Sequence, residues 1–305
     1  LSNYNPKKVI IFSRDELKQY EMEKDFNDKR LRFFLGDVRD LLRLEIAMKD
    51  VDFVIHAAAL KHVHLGEYNP MEVIKTNVIG AQNIVDACLD KNVKNVIALS
   101  TDKASSPINL YGASKLCSDK IFLSANNIKG SRKTKFSIVR YGNVLGSRGS
   151  VVPIFLNLDK KNKKFNLTHK EMTRFNITLE EGVEFVNWCL KNNSGGEIFV
   201  PKLDSFKVID LAKAINKNAK FQNIGLRPGE KIHEELISES DGYNTLEGKN
   251  HFVILNYHTK NNILNYKRKN KLKDLKSTIK YSSDLNKSFL SINNLRQILK
   301  INKFI

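Results

Sequence analysis

From Lys8 to Tyr141 the chain alternates short β-rich apolar runs with helical stretches, and few folds tolerate that rhythm. The runs Lys8–Phe12, Leu31–Leu35, Val51–His56, Val96–Ser100 and Phe136–Tyr141 read as strands. Between them Asp15–Phe26, Asp40–Met48, Pro70–Lys91 and Leu110–Asn126 read as helices. In the long third helix Val73, Ile74, Val78, Ala81, Val85 and Cys88 recur at helical spacing. Alternation of this kind predicts parallel βαβ units with right-handed crossovers, hence an α/β doubly wound parallel sheet. After Gly149 the rhythm loosens. Helices are expected at Thr178–Leu190, Val208–Asn216 and Ile292–Ile301, the last with Ser291 as N-cap, and a strand at Glu197–Val200. Arg227-Pro228-Gly229-Glu230 reads as a turn leading into a helix over Lys231–Ile237.

The length of 305 residues allows one large α/β domain or a large and a small one, with ample core. Hydrophobic residues at 41% and charged residues at 28% give a globular balance. No apolar run approaches the roughly 18–20 residues of a membrane helix, and the polar start Leu1–Lys8 shows no secretory signal. Cys88, Cys117 and Cys189 are too scattered for a disulfide framework, which fits a reducing, cytoplasmic setting. His62 and His64 lack further ligands nearby, so no metal is expected.

The net charge of +18, from 51 Lys+Arg against 33 Asp+Glu, first suggests nucleic acid. Its placement argues otherwise. One short tract holds Lys160, Lys161, Lys163 and Lys164. The window Asn256–Lys280 holds Lys260, Lys267, Arg268, Lys269, Lys271, Lys273, Lys276 and Lys280 against Asp274. Its aromatics, Tyr257 and Tyr266, are too sparse for a stacking platform, and neither tract matches a nucleic-acid-binding motif. A solvated basic surface is the reading, with no nucleic-acid and no membrane partner.

In a doubly wound sheet ligands sit at the carboxyl ends of the strands. The first visible strand ends in Ser13-Arg14-Asp15-Glu16, where Arg14 either pairs with a 2′-phosphate or is a surface arginine. Asp37-Val38 follows the next strand, and Asp37 either accepts from an adenine amino group or is a turn residue. Ala57-Ala58-Ala59 follows the third, small enough for a dinucleotide or for close helix packing. The fourth ends in Ser100-Thr101-Asp102-Lys103, with Tyr111 and Lys115 four apart on the helix that follows and so on one face. A phenol titrates near about 10, and a neighbouring ammonium should lower that value. Tyr111 is then a usable base toward a hydroxyl while a hydride leaves the adjacent carbon. A Tyr-x-x-x-Lys spacing alone is common; its place behind a strand-end Thr-Asp-Lys makes it specific.

With these residues in view, the chain resembles an extended short-chain dehydrogenase/reductase. Within that group it is most similar to the inverting UDP-N-acetylglucosamine 4,6-dehydratases of the pseudaminic acid type. The stretches that carry the resemblance begin with Ser13-Arg14-Asp15-Glu16-Leu17-Lys18, Gly36-Asp37-Val38-Arg39-Asp40 and His56-Ala57-Ala58-Ala59-Leu60-Lys61-His62. They continue through Ser100–Ala104, Tyr111–Lys115, Arg140-Tyr141-Gly142-Asn143-Val144 and Gly146-Ser147-Arg148-Gly149-Ser150. Met172-Thr173-Arg174-Phe175 and Arg227-Pro228-Gly229-Glu230-Lys231 complete the set, which extends to about residue 255.

The resemblance implies a Rossmann-like NADP-binding domain over residues 1–150 and a smaller substrate-binding region, with a basic C-terminal segment, over 151–305. It implies Tyr111 as base at sugar O4, supported by Lys115, with Thr101 near O4. It further implies Lys103 as base at C5 and Asp102 as acid to the C6 hydroxyl, with hydride leaving C4 and returning to C6. A lysine in that role needs a depressed pKa. Ser13, Arg14, Lys18, Asp37, Val38, Ala57, Tyr111, Lys115 and Val144 are the implied NADP contacts. Lys61, Asn143, Arg174, Arg227 and Glu230 are the implied contacts of the UDP-sugar. The oligomer is expected to be homomeric. An epimerase of the same fold is the alternative, which Asp102-Lys103 argues against, since epimerisation at C4 needs no acid/base pair at C5 and C6. A non-catalytic basic binding module is a further alternative, against which Tyr111, Lys115 and Lys103 stand together.

One departure from the pattern stands out. No G-x-G-x-x-G fingerprint occurs, although it should follow the fold's first strand and precede Lys8–Phe12. The resemblance implies that roughly thirty residues are absent, comprising that strand, the pyrophosphate loop and most of the first helix. The polypeptide as written, beginning at Leu1, is therefore expected to bind NADP poorly and to be inactive or unstable.

Overall fold

The computed structural model describes residue 1, residues 4–255 and residues 263–305. Tyr257 and Lys260 of the basic window lie outside the described residues. Strand β1 (Val9–Ser13) is followed by helix α1 (Glu16–Phe26), which starts where the Asp15 carboxylate accepts from Lys18 N. It stops at Asn27, whose left-handed backbone (φ 38°) breaks the helix. β2 (Leu31–Leu35) pairs with β1 in parallel register, Val9 opposite Leu31. Then come α2 (Leu41–Ala47), capped by Asp40, and β3 (Phe53–His56). Helix α3 (Val63–Tyr68) precedes the long stretch expected as one helix. That stretch is α4 (Pro70–Ile74), a π-helical turn over Lys75–Ile79, and α5 (Gly80–Asp90). β4 (Asn95–Thr101) leads through a 3-10 turn, Asp102–Ala104, to α6 (Leu110–Ile128). β5 (Lys135–Tyr141) and the short β6 (Asn143–Val144) follow.

The second half adds α7 (Val151–Lys160), β7 (Phe165–Leu167), β8 (Thr173–Ile177) and α8 (Leu179–Asn192). The start of α8 is a capping box, Thr178 with Glu181. Next are β9 (Glu197–Pro201), β10 (Asp204–Lys207), α9 (Val208–Ile215) and β11 (Phe221–Asn223). Lys231–Ile237 is not the helix its composition suggested. Residues 231–234 are irregular and Glu235–Ile237 is strand β12, antiparallel to a strand near the C-terminus. That non-local pairing outweighs the helix preference of Lys, Glu and Leu. The chain closes with α10 (Glu239–Gly242), β13 (Thr245–Glu247), β14 (His251–Leu255), α11 (Ile263–Asn270), β15 (Lys273–Asp274), β16 (Tyr281–Ser282) and α12 (Ile292–Ile301). Ser291 caps α12 as its sequence predicts, accepting from Asn294 N.

The main sheet has seven strands in the order β15-β13-β14-β9-β5-β4-β3. The ladders β3–β4, β4–β5 and β5–β9 are parallel, and β14, β13 and β15 extend the sheet antiparallel. Alternation along the central strands buries both faces. Val96, Ala98 and Ile138 join Val85 and Phe122 in the core beneath α5 and α6. Ile97 and Val139 face the opposite way and meet Val186 and Cys189 of α8. A separate core under α7, α9 and α12 gathers Phe155, Phe165, Leu211 and Leu299. Among the described residues β1 and β2 pair only with each other, and β3 pairs only with β4. No described helix is long and apolar enough to cross a membrane.

Candidate active site

The carboxyl end of β4 carries the densest chemistry. Thr101 caps the 3-10 turn with its side chain, accepting from Lys103 N, and its hydroxyl donates to Asp102 Oδ1 at 2.8 Å. Asp102 is fully buried. Lys103 Nζ lies 3.1 Å from Asp102 Oδ1 and 3.0 Å from Glu234 Oε1. Helix α6 packs so closely on this turn that a Cβ at Gly112 would lie 2.2 Å from the Lys103 carbonyl oxygen. Glycine is thus required two positions before Ser114, and the approach holds Tyr111 beside Lys103. Asn109 caps α6 by accepting from Gly112 N, and its amide donates to Gly229 O at 2.7 Å. Gly229 itself has φ 73° and no room for a Cβ against Asn109. The Arg227–Glu230 turn is tied in this way to the start of the Tyr111 helix.

Charge in this site departs from the expectations at two residues. Burial pushes the Tyr111 phenol up to about 12, although Lys103 and Thr101 pull it down. Lys115, expected to lower it, is instead engaged below: its Nζ donates to Leu99 O at 2.8 Å, and burial lowers its own pKa. Burial also disfavours the Lys103 ammonium, but Asp102 and Glu234 together outweigh that and hold its pKa above the ordinary lysine value. The depressed lysine expected from the sequence is therefore not what the two adjacent carboxylates produce. Asp102 moves in the useful direction, since burial raises its pKa against the pull of Lys103. One turn beyond Lys115, Asp119 accepts from Ser100 Oγ at 2.8 Å and pairs with the buried Arg140 at 3.2 Å, locking α6 to β4 and β5.

Of the residues expected around a sugar nucleotide, Arg174 and Glu230 are drawn together at 3.8 Å, and Arg174 Nε stands 3.7 Å from Glu234 Oε1. The Arg174 guanidinium also donates to the carbonyls of Thr173, Lys231 and Ile232. Asn143 Oδ1 is buried with no hydrogen-bond partner among the described residues. Lys61 and Arg227 are exposed. At the ends of β1 and β2 lies a second cluster. Arg14 Nη1 donates to Asp37 Oδ2 at 3.2 Å, Arg39 Nη2 donates to the same oxygen at 2.8 Å, and Lys18 pairs with Asp15 at 3.0 Å. Asp37 is thus occupied by two guanidiniums. Ser13 Oγ accepts from Asp15 N, and Val38 is buried against Gly80 of α5. Ala57 is exposed beyond β3, and Val144 is half-buried in β6.

Sequence reasoning missed Glu234 and the lysine that follows the Arg-Pro-Gly-Glu turn. Lys231 Nζ donates to Ser105 O at 2.7 Å, which fixes the loop between the 3-10 turn and α6. Glu235 accepts from Ser105 and Ser106 hydroxyls at 3.0 and 2.7 Å. The adjacent pair of acids before Leu236-Ile237 was the available signal: two consecutive glutamates leading into a strand that is wholly buried. Among the described residues no cluster of His, Cys, Asp and Glu could hold a metal ion.

The family model described as "Polysaccharide biosynthesis protein" matches residues 1–256. A UDP-N-acetylglucosamine 4,6-dehydratase (inverting) of Campylobacter jejuni serotype O:2 is 52% identical over 304 residues, covering 98% of this chain and 91% of that one. The X-ray structure of Pen from Bacillus thuringiensis superposes with a TM-score of 0.90 at 36% identity, covering 98% of this chain and 91% of that one. DesIV, a dTDP-glucose 4,6-dehydratase from Streptomyces venezuelae solved with NAD and TYD, reaches a TM-score of 0.69 at 22% identity over 75% of this chain and 78% of its own. At that identity it shows the Rossmann-like α/β fold alone.

Proposed function

Because the chain belongs to the polysaccharide biosynthesis protein family, we propose that it is an NADP-dependent inverting 4,6-dehydratase of UDP-N-acetylglucosamine. The product is a UDP-4-keto-6-deoxy sugar with C5 inverted, made for a surface glycan of the pseudaminic acid type. The reaction class is a hydro-lyase. The observation that carries the reading is the direct 3.1 Å contact between Lys103 Nζ and Asp102 Oδ1 at the end of β4, beside Tyr111. An amine and a carboxyl sharing one proton are the base and acid that removal of water across C5 and C6 requires.

The residues suit a dinucleotide phosphate at both ends. At the β1–β2 end Arg14, Lys18 and Arg39 pair with Asp15, Asp37 and Glu72, and half of the Arg14 side chain remains exposed for a phosphate. Exposed Ala57 offers no bulk against it. Ser13, Val38 and Val144 would contact it at their strand ends. At the reacting end Tyr111 and Lys115 would face the ribose and nicotinamide. A bound cofactor would supply the hydride acceptor for sugar C4 and the donor for C6. No glycine-rich loop at a helix N-terminus stands among the described residues for the pyrophosphate.

In this scheme Tyr111 removes the proton of O4, with Thr101 hydrogen-bonding near the same oxygen. The carbonyl formed at C4 acidifies C5–H. Lys103 takes that proton, in the tautomer where its own has passed to Asp102. Asp102 then protonates the departing C6 hydroxyl. Its burial favours the neutral acid this role needs. A proton added to C5 from the face away from Lys103, balanced by the one Tyr111 took from O4, gives the inversion and returns Tyr111 to its starting state. Arg174, Arg227 and Lys61 supply cations toward the diphosphate, with Asn143 and Glu230 available to hydroxyl and amide groups. Residues 1–150 serve the cofactor and 151–305 most of the substrate, although strands from both join the seven-stranded sheet. The free cysteines fit a reducing compartment, the cytoplasm. Leu65, Tyr68, Met71 and Ile79, exposed on consecutive helical segments, favour a homo-oligomer.

The test is NMR of UDP-N-acetylglucosamine in heavy water with the full-length protein. A 4-keto-6-deoxy product carrying deuterium at C5 is expected, and a C6 hydroxyl that survives prolonged incubation overturns the reading. In the same assay Lys103→Met stops elimination while C4 oxidation continues, and Tyr111→Phe slows both by about 100-fold or more.

A further inference from the structure

Glu234 precedes β12 and is 2% exposed. A carboxylate at that depth stays charged only where it is paired. Its Oε1 reaches Lys103 Nζ at 3.0 Å and Arg174 Nε at 3.7 Å, while Oε2 is buried with no hydrogen-bond partner among the described residues. The Lys103 amine is thus gripped by Asp102 and by Glu234. The backbone of Glu234 is held as firmly. Ser283 N donates to Glu234 O at 2.8 Å, and Glu234 N donates to Ser283 Oγ at 3.0 Å. Ser283 is fully buried, and its hydroxyl is shared with Thr173 Oγ1 at 2.6 Å.

We propose that Glu234 is a positioning residue for the elimination step, fixing the Lys103 amine and holding the proton it takes from C5. The inference rests on the dehydratase reading above. In the step, the C5–H bond breaks, an Nζ–H bond forms, and the electron pair passes into an enolate with the C4 carbonyl. That pair then expels the C6 hydroxyl, which takes the proton of Asp102 and leaves as water. Lys103 is left as an ammonium between Asp102 and Glu234, and one transfer from Nζ to Asp102 Oδ1 restores the starting pair. Glu234 makes this ammonium favourable in a poorly solvated site, so the proton is not handed back to the face it came from. The charged groups facing Lys103 are Asp102, Glu234 and Arg174, with Arg174 opposing the two acids. Tyr111 and Lys231 feel the same ammonium.

Competitive acetylation of amines across a pH series tests this directly. The Lys103 peptide is quantified by mass spectrometry in wild type, Glu234→Gln and Glu234→Asp, without cofactor or substrate. The Lys103 midpoint should fall by about one pH unit or more in the Gln variant and by less in the Asp variant. Single turnovers add a second readout, with reduced-nicotinamide absorbance for C4 oxidation and NMR for elimination. The Gln variant should lose about tenfold or more of elimination with C4 oxidation nearly unchanged, and Asp should recover part. An unshifted midpoint, or equal loss of both half-reactions, overturns the proposal. If the Gln variant does not fold, the Asp variant decides: an unshifted midpoint with normal elimination overturns it. A wild type that makes no 4-keto-6-deoxy sugar sinks the dehydratase reading instead, while the titration still reports whether Glu234 sets Lys103.

Discussion

His56, the last residue of β3, is buried against Phe122 with ring centroids 5.4 Å apart, and its Nε2 has no hydrogen-bond partner among the described residues. Burial, with the nearby Lys115 charge adding to it, pushes its pKa down to about 3 from 6.5. The unfolded chain takes up this proton near pH 6.5 and the folded one does not. Stability from this group is therefore complete above that pH and is lost progressively as pH falls toward 3. Near pH 4.5 the loss is about 2–3 kcal/mol. Urea unfolding at pH 7.5 and 4.5 should show it, and His56→Leu should remove that part of the difference. Legibility at this scale followed locality. Thr101, Asp102, Lys103, Tyr111 and Lys115 stand within one strand–turn–helix unit, so their spacing carried the chemistry. Glu234 comes to Lys103 only through tertiary pairing, and it adds to neighbouring Asp102 the second carboxylate holding the lysine pKa up, which spacing could not show.

The stretch after Pro70 shows what an element conceals. Apolar spacing correctly marks it as helical, but it cannot register the π-helical turn over Lys75–Ile79. That turn aims Asn77 inward, where its Oδ1 accepts from Leu60 N at 2.8 Å and its amide donates to Leu60 O at 2.9 Å and Ser114 Oγ at 3.0 Å. One side chain thereby ties the loop after β3 to the helix of Tyr111 and Lys115. Asn77→Ala leaves the Leu60 backbone groups unsatisfied and should cost about 1–3 kcal/mol in chemical denaturation, with the Tyr111 helix the first to lose amide-exchange protection. The misread helix at Lys231–Ile237 has the opposite cause. All three residues of β12 are buried, so no alternation of polar and apolar positions was there to mark a strand. Its partner β16 lies far down the chain.

Across the whole molecule, the excess of cations is spread rather than focused. Lys267 is paired with Asp274 at 2.6 Å, and at the end of β4 Arg174 and Lys103 are paired with Glu230, Glu234 and Asp102. Duplex DNA should accordingly bind only at the non-specific level, with Kd no tighter than about 10⁻⁶ M at physiological salt and weakening further as salt rises. Fluorescence anisotropy across a salt series measures this, and tight, salt-resistant binding would restore a nucleic-acid partner. The parallel half of the main sheet was readable from the β/α rhythm. Its antiparallel extension through β14, β13 and β15 was not: β13 and β15 have only three and two residues, and β14 is placed by its tertiary pairing with β9 rather than by any β/α rhythm. That polar tail nevertheless reaches back to the centre through Ser283, which fastens Glu234 at both its amide and its carbonyl. In engineering terms the C-terminal segment is no interchangeable module. A tail grafted from elsewhere without a hydroxyl at that position would strip the Glu234 amide of its acceptor and leave only the backbone bond to its carbonyl, loosening the counter-charge of Lys103 from a point far along the chain.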